Sequence, residues 1–320
     1  MCTALSDGIF FGRTLDLEYS YGENIVCVPR RFAFNFLHES TDSNHAAIIG
    51  VAHLHRGVPL FYDAVNEHGL AAAALNFPRY ASYSKPGAAL TNIASFELIP
   101  WLLCKCRDLY SAVNLLKTIA VTDGNVDSSL PATPLHWLIA DRTGAIVVEP
   151  MQDGLKIYEN PFGVMTNAPD FSYHVNRLSE VMGASSHSPK NRIFPTAELI
   201  PYSRGLGAFG IPGDFSSSSR FIRAAFAKAH TVHGETKEDE ISRFFHIMDT
   251  VSLPLGSVLT DEAKAVSTVY TSCADTSTST YYFTTYDCRR IRSVSLKSTA
   301  LDSEELISYP MEHREDILCL

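Results

Sequence analysis

No stretch of this 320-residue chain approaches the ~18 consecutive apolar residues that a membrane-spanning helix needs, which excludes an integral membrane protein of the helical kind. Basic charge is also scarce. Lys and Arg number 26 against 35 Asp and Glu, a net charge of −9, so no basic face is available to neutralise phosphates and a nucleic-acid partner is not expected. The cysteines, at positions 2, 27, 104, 106, 273, 288 and 319, are odd in number and irregularly spaced, with neither paired zinc-type spacing nor a signal peptide ahead of them. That pattern predicts a reducing cytoplasm, no disulfide framework and no metal. Linker-like breaks in composition are missing too. With 46% apolar and 19% charged residues, the chain is expected to bury one sizeable core, as a single domain over 1–320.

What is present begins at Cys2, directly behind Met1 and followed by Arg13 and Asp16. The small side chain at position 2 favours excision of Met1. That excision leaves one residue carrying both a thiol nucleophile and an α-amine, a type of group that titrates near neutrality at about 7.7–8.0. Taken alone, Cys2 reads equally as an ordinary cysteine in a frayed terminus. The stretch behind it argues for order: an apolar run at 9–11 follows the Asp7-Gly8 turn and predicts two short strands joined as a hairpin.

Further hairpins are expected where 60–64 and 70–76 flank Asn66-Glu67-His68-Gly69, and where 137–140, 145–149 and 155–158 are separated by Asp141-Arg142-Thr143-Gly144 and Asp153-Gly154. Helical spacing of apolar residues covers 95–119, with Pro100 expected to kink or divide it, and two more helices are expected near 218–229 and 237–248. The chain then returns to strands at 266–271, 280–285 and 291–296. Helices in blocks between strands favour an antiparallel α+β architecture of stacked layers. The Gly- and Pro-rich stretch 185–212 reads as a long loop or assembly arm.

Two strings carry less than they promise. Gly205 to Gly210 matches G-x-G-x-x-G, but it follows no clear strand and runs into Ile211-Pro212-Gly213, which cannot open the helix a dinucleotide site requires. His53 and His55 alternate as strand residues do, with no local ligand to complete a metal site. More telling are Asn76 and Asn167, each ending an apparent strand just before Phe-Pro or Ala-Pro. There an amide can be a simple turn residue or a donor to a developing oxyanion. Arg220 falls near the start of a helix, where the helix dipole disfavours a cation.

Taken together, Met1-Cys2-Thr3, Phe11-Gly12-Arg13-Thr14-Leu15-Asp16, Leu75-Asn76-Phe77-Pro78, Thr166-Asn167-Ala168-Pro169, and Pro212-Gly213-Asp214-Phe215 with Ser219-Arg220-Phe221 resemble the choloylglycine hydrolases, in order and at similar spacing. Tyr270-Thr271-Ser272-Cys273 and Tyr281-Tyr282-Phe283-Thr284-Thr285-Tyr286 extend the likeness to nearly the whole chain. The resemblance implies the αββα four-layer sandwich of N-terminal nucleophile hydrolases, with antiparallel sheets. It also implies an amidase acting through a thioester. Cys2 is then the nucleophile, with its α-amine shuttling the proton. Asp16 holds that amine, Arg13 lies against the thiol, Asn76 and Asn167 form the oxyanion site, and Arg220 completes the polar constellation.

Within such a family the choice lies between conjugated bile salts and penicillin V. Penicillin V acylases commonly carry Tyr where this chain has Asn76, so the resemblance points to glycine and taurine conjugates of bile acids. Leu15, Val126 and Leu130 are the implied walls of the steroid pocket, each also readable as plain core. No cofactor is implied, and the assembly implied is a homotetramer. A catalytically silent steroid-binding protein that keeps Met1 is the reading from another class.

Overall fold

The computed structural model describes residues 1–40, 43–194 and 196–320. The chain opens on the expected hairpin, β1 (Cys2–Asp7) and β2 (Phe10–Leu17), turned at Gly8 with φ of 62°. That is a left-handed conformation glycine adopts without steric cost. Four strands follow: β3 (Glu23–Val28), β4 (Ile48–His55), β5 (Val58–Asn66) and β6 (Ala71–Asn76). Next come β7 (Thr91–Ala94), α1 (Leu98–Lys105), α2 (Leu109–Leu116) and β8 (Ile119–Thr122). The middle of the chain forms β9 (Leu135–Asp141), β10 (Gly144–Met151), β11 (Gly154–Glu159), β12 (Val164–Met165) and α3 (Phe171–Ser179). After the 185–212 loop, which includes residue 195 outside the described residues, come α4 (Ser217–His230) and α5 (Lys237–Asp249). The chain ends with β13 (Val258–Leu259), β14 (Ala265–Asp275), β15 (Thr280–Thr285), β16 (Cys288–Ser295) and β17 (Ile307–Pro310).

Apart from β7 and β8, which pair in parallel with each other, these strands build two large antiparallel sheets. One has the order β12-β1-β2-β14-β15-β16, with β13 paired to β14; the other runs β11-β10-β9-β6-β5-β4-β3-β17. Period two sorts the second sheet's side chains between two cores. Ile25, Cys27, Ile49, Val51, Leu138 and Ala140 face the first sheet, whereas Val26, Val28, Ile48, Ala52, Trp137 and Ile139 pack with Trp101 and Leu102 of α1. Helices α4 and α5 cover the outer face of the first sheet, against β1, β12, β2 and β14. The order of layers is therefore helix, sheet, sheet, helix, as the resemblance implied.

One expectation needs correcting. Pro100 does not divide the helical region; it lies in the first turn of α1, where its missing N–H is no loss. The break comes at 106–108, where Asp108 caps α2 by accepting from the Ser111 backbone N–H at 2.8 Å.

Glycine is demanded at position 12. A Cβ there would lie 1.9 Å from the Ser272 carbonyl oxygen of the neighbouring strand. Gly12→Ala should force β2 away from β14 and lower stability by about 1–3 kcal/mol, the scale of overpacking in a core. A denaturant midpoint equal to that of the unmodified protein would contradict this.

Candidate active site

Cys2 lies on an interior strand, flanked by β12 and β2, and is only 3% exposed. In the β1/β2 ladder Cys2 faces Leu15 and Ala4 faces Arg13, while Thr3 faces Thr14. Directly paired residues share a face, so Cys2, Arg13 and Leu15 project to one side of the sheet and Thr3, Thr14 and Asp16 to the other.

On the first side Arg13 crosses to the second sheet. Its Nη1 donates to the carbonyls of Ala74 at 2.5 Å and Tyr62 at 3.1 Å, and its Nε donates to Thr14 O at 3.2 Å. Burial works against its charge, but Cys2, Tyr270, Asp63 and Asp16 outweigh it and push the guanidinium pKa up. Asp63 is the anchor of this region. Tyr270 donates to it at 2.6 Å, Ser272 at 3.0 Å, and Tyr281 donates as well.

On the second side, buried Asp16 accepts from Thr268 Oγ1 at 2.7 Å and from Thr14 Oγ1 at 3.2 Å. Burial raises its pKa, and the Arg220 guanidinium, 3.9 Å away, opposes that rise. Arg220 explains its own odd place on α4. It is fully buried, donating to Cys2 O, to Thr3 Oγ1 at 2.7 Å and, through Nη2, to Asn167 Oδ1 at 2.8 Å.

Asn167 closes the site. Its Oδ1 accepts from the Cys2 backbone nitrogen at 2.7 Å, and its Nδ2 donates to Asn76 O at 2.8 Å. One Nδ2 hydrogen remains for a second acceptor. Asn76 joins through its backbone carbonyl, and its side chain is exposed. The Asn167 carbonyl is held in turn by Ser217 Oγ at 2.7 Å and His174 Nε2 at 2.9 Å. Asn167 and Arg220 thus bind the Cys2 backbone directly, Asn76 joins through Asn167, Asp16 through Arg220, and Arg13 shares the face of the Cys2 side chain, a set spread over more than 200 residues of sequence.

A sequence profile of the linear amide C–N hydrolases, choloylglycine hydrolase family, matches residues 2–309. The chain belongs to the choloylglycine hydrolase family. Relatives include the bile salt hydrolase/transferase of Lactiplantibacillus plantarum, 42% identical over 314 residues and covering 97% of each chain. The bile salt hydrolase/transferase of Clostridium perfringens is 34% identical over 317 residues, covering 97% of this chain and 96% of its own. Among solved structures, a variant of the conjugated bile acid hydrolase from Clostridium perfringens superposes with a TM-score of 0.92 at 33% identity, over 100% of both chains. The penicillin V acylase of Agrobacterium tumefaciens shares the fold, with a TM-score of 0.76 at 18% identity over 96% of this chain and 90% of its own. As a choloylglycine hydrolase family member the chain is an amidohydrolase with the N-terminal nucleophile fold.

The pocket candidates divide. Leu15 is buried beside Cys2 in the core between the sheets. Val126 and Leu130 are half-buried on a separate loop, tied by Val126 N donating to Leu130 O at 3.1 Å. A cavity of about 170 Å³ reaches Val126 and is lined by Phe32, Phe34, Leu37 and Leu60. Asp127 organises that loop, accepting from Ser129 N at 2.7 Å and Leu130 N at 3.2 Å while His55 Nε2 lies 2.7 Å from its other oxygen. His55 is thus a satisfied histidine. The glycines at 205–210 enclose a short 3-10 turn with no strand before it, so the phosphate-loop pattern there is accidental. No cluster of three or more metal-ligating side chains occurs among the described residues, and no helix there is long and apolar enough to cross a membrane.

Sequence reasoning missed Asp63, Thr268 and Ser217. The late Tyr270 and Tyr281 motifs carried the only signal for Asp63, because two tyrosines in buried strand positions need an acceptor.

Proposed function

We propose that this chain hydrolyses the amide bond of glycine- and taurine-conjugated bile salts, with Cys2 as nucleophile. The observation that carries the reading is the 2.7 Å contact between the Cys2 nitrogen and Asn167 Oδ1, which sets the residue bearing nucleophile and base against the side chain bearing the oxyanion donor. Once Met1 is removed, that nitrogen is a free amine. The Cys2 sulfur attacks the amide carbonyl while its proton passes to the α-amine. The carbonyl oxygen, now negative, accepts a hydrogen bond from the free N–H of Asn167 Nδ2, with Asn76 completing the oxyanion site. The α-amine returns the proton to the departing nitrogen, the C–N bond breaks, and glycine or taurine leaves. Water then attacks the thioester by the same proton route, releasing the bile acid and restoring the thiol. Arg13 faces the sulfur throughout, and Arg220 and Asp16 fix the strand that presents it. A preorganised oxyanion donor is typically worth about 2.7–4 kcal/mol.

The substrate class rests on the names of the relatives; of the three candidate wall residues, Val126 lines the apolar cavity, while Leu15 beside Cys2 and Leu130 on the Val126 loop are proposed to extend it. In the same reading the chain acts in the cytoplasm, folds as one unit over 1–320 and assembles as a homotetramer. A core that gathers residues from Cys2 to Met311 supports the single unit. Ile193, Phe194, Ile200, Tyr202 and Phe209, all exposed on the 185–212 arm, support the assembly.

A panel of glycine and taurine conjugates beside penicillin V, with amine release measured, tests the proposal. Bile salts should show the higher kcat/KM, and Leu130→Ala should weaken them by about 1–3 kcal/mol in transition-state binding, more than it weakens penicillin V. Equal or faster cleavage of penicillin V overturns the bile-salt assignment. A silent binding protein would release no amine and would keep Met1 by intact mass.

A further inference from the structure

Behind the two oxyanion asparagines lies a buried polar cluster that the mechanism above does not use. Glu149, fully buried on β10, accepts through Oε1 from Phe171 N at 3.0 Å, and the same oxygen lies 3.3 Å from His136 Nδ1. His136 stands opposite Leu75, the residue before Asn76, and stacks on Phe77, the residue after it, with centroids 4.1 Å apart. Phe171 opens α3, which presents His174 to Asn167 O. Each asparagine segment therefore rests on one histidine, and Glu149 ties His136 to the start of the helix that carries the other. Glu149 Oε2 and His174 Nδ1 have no hydrogen-bond partner, and beyond Glu149 the His136 ring interacts with the Thr166 backbone, the residue before Asn167. Apolar side chains of similar volume would fill this space without unsatisfied polar atoms, so packing alone does not account for the cluster.

Building on the proposed amidase activity, we infer that Glu149, with His136 and His174, is a positioning residue for the oxyanion asparagines, and that it serves as an uncharged carboxylic acid. A neutral acid can donate to His136 Nδ1 while accepting from Phe171 N. A carboxylate would set a negative charge behind the donors that must stabilise a negative oxygen. Burial pushes Glu149 up to about 8, with the Phe171 N–H opposing and Asp170 adding to the rise. Burial also holds His136 down to about 3 and His174 down to about 4, so neither offers a countercharge near neutrality. The other ionisable groups acting on the cluster are Tyr158 on β11, Asp170 ahead of α3 and Arg220 on α4.

The test is a profile of kcat and KM for a taurine conjugate from about pH 5 to about pH 10. In the unmodified protein kcat should fall on the alkaline side with a midpoint near pH 8, and KM should stay within about twofold. Glu149→Gln should lose that alkaline fall and, at neutral pH, about two- to fivefold in kcat. Asp170→Asn, on a half-buried side chain that makes no cap bond, should shift the fall to lower pH by removing the charge that raises Glu149. An alkaline limb unchanged in both variants, or a kcat flat to about pH 10 in the unmodified protein, overturns the inference while leaving the hydrolase reading intact. Absence of amine release at every pH would refute the hydrolase reading itself.

Discussion

Cys2→Ala is expected to abolish amine release, by at least about a thousandfold in kcat, while leaving the protein folded. The contacts that hold the residue in place are made by its backbone: its nitrogen donates to Asn167, its carbonyl accepts from Arg220, and it pairs with Leu15 in the ladder. Alanine keeps all three and removes only the sulfur. Thermal unfolding should therefore move little, since a single small side chain is lost at the end of a strand. Near-normal turnover by the purified variant would mean that another group attacks the amide.

The fold was legible where local chemistry decides it. Asp7-Gly8 and Asp141 to Gly144 announce hairpins because their backbones need turn conformations, and the structure has both. Helix α5 was expected near 237–248, and the structure starts it where Thr236 and Asp239 cap each other and Glu238 and Glu240 suit the helix dipole. Pro100 misled because proline marks either a break or a first turn, and only tertiary packing chooses between them.

The site was legible by a different route. Arg13 and Asp16 are three residues apart on one strand, so period two puts them on opposite faces. Spacing gives the two faces but not the partners: Arg13 interacts with Cys2, and Asp16 with the Arg220 that holds the Cys2 carbonyl. Arg220 was visible as an anomaly, a cation near a helix start, and the anomaly marked its role beside Cys2 and Asn167. Asp63 was signalled only through the tyrosines that donate to it, and Glu149 gave no sign. Asp63 lies 207 residues from the Tyr270 that donates to it, and Glu149 sits in the apolar run of β10 like any other strand residue.

The second large effect concerns the nitrogen of Cys2 rather than its sulfur. A variant with a residue that processing cannot remove fixed ahead of Cys2 should lose about 10²–10⁴ in kcat, the usual share of general acid–base catalysis. With Met1 in place that nitrogen is a peptide N–H donating to Asn167 Oδ1, and its lone pair is delocalised into the amide. It can neither accept the thiol proton nor deliver one to the leaving amine. Met1 also fills the space ahead of the strand, its own amine donating to Asp16 O at 2.5 Å and its carbonyl accepting from Asp16 N at 2.9 Å. Those bonds tie the extra residue to β2, so the blocked form should fold as the processed form does. Intact mass confirms the block, circular dichroism the fold, and amine release the rate. Unchanged kinetics in a form whose mass proves the extra residue is retained would show that the α-amine is not the base. The proton would then have to reach the leaving group through a different group near Cys2.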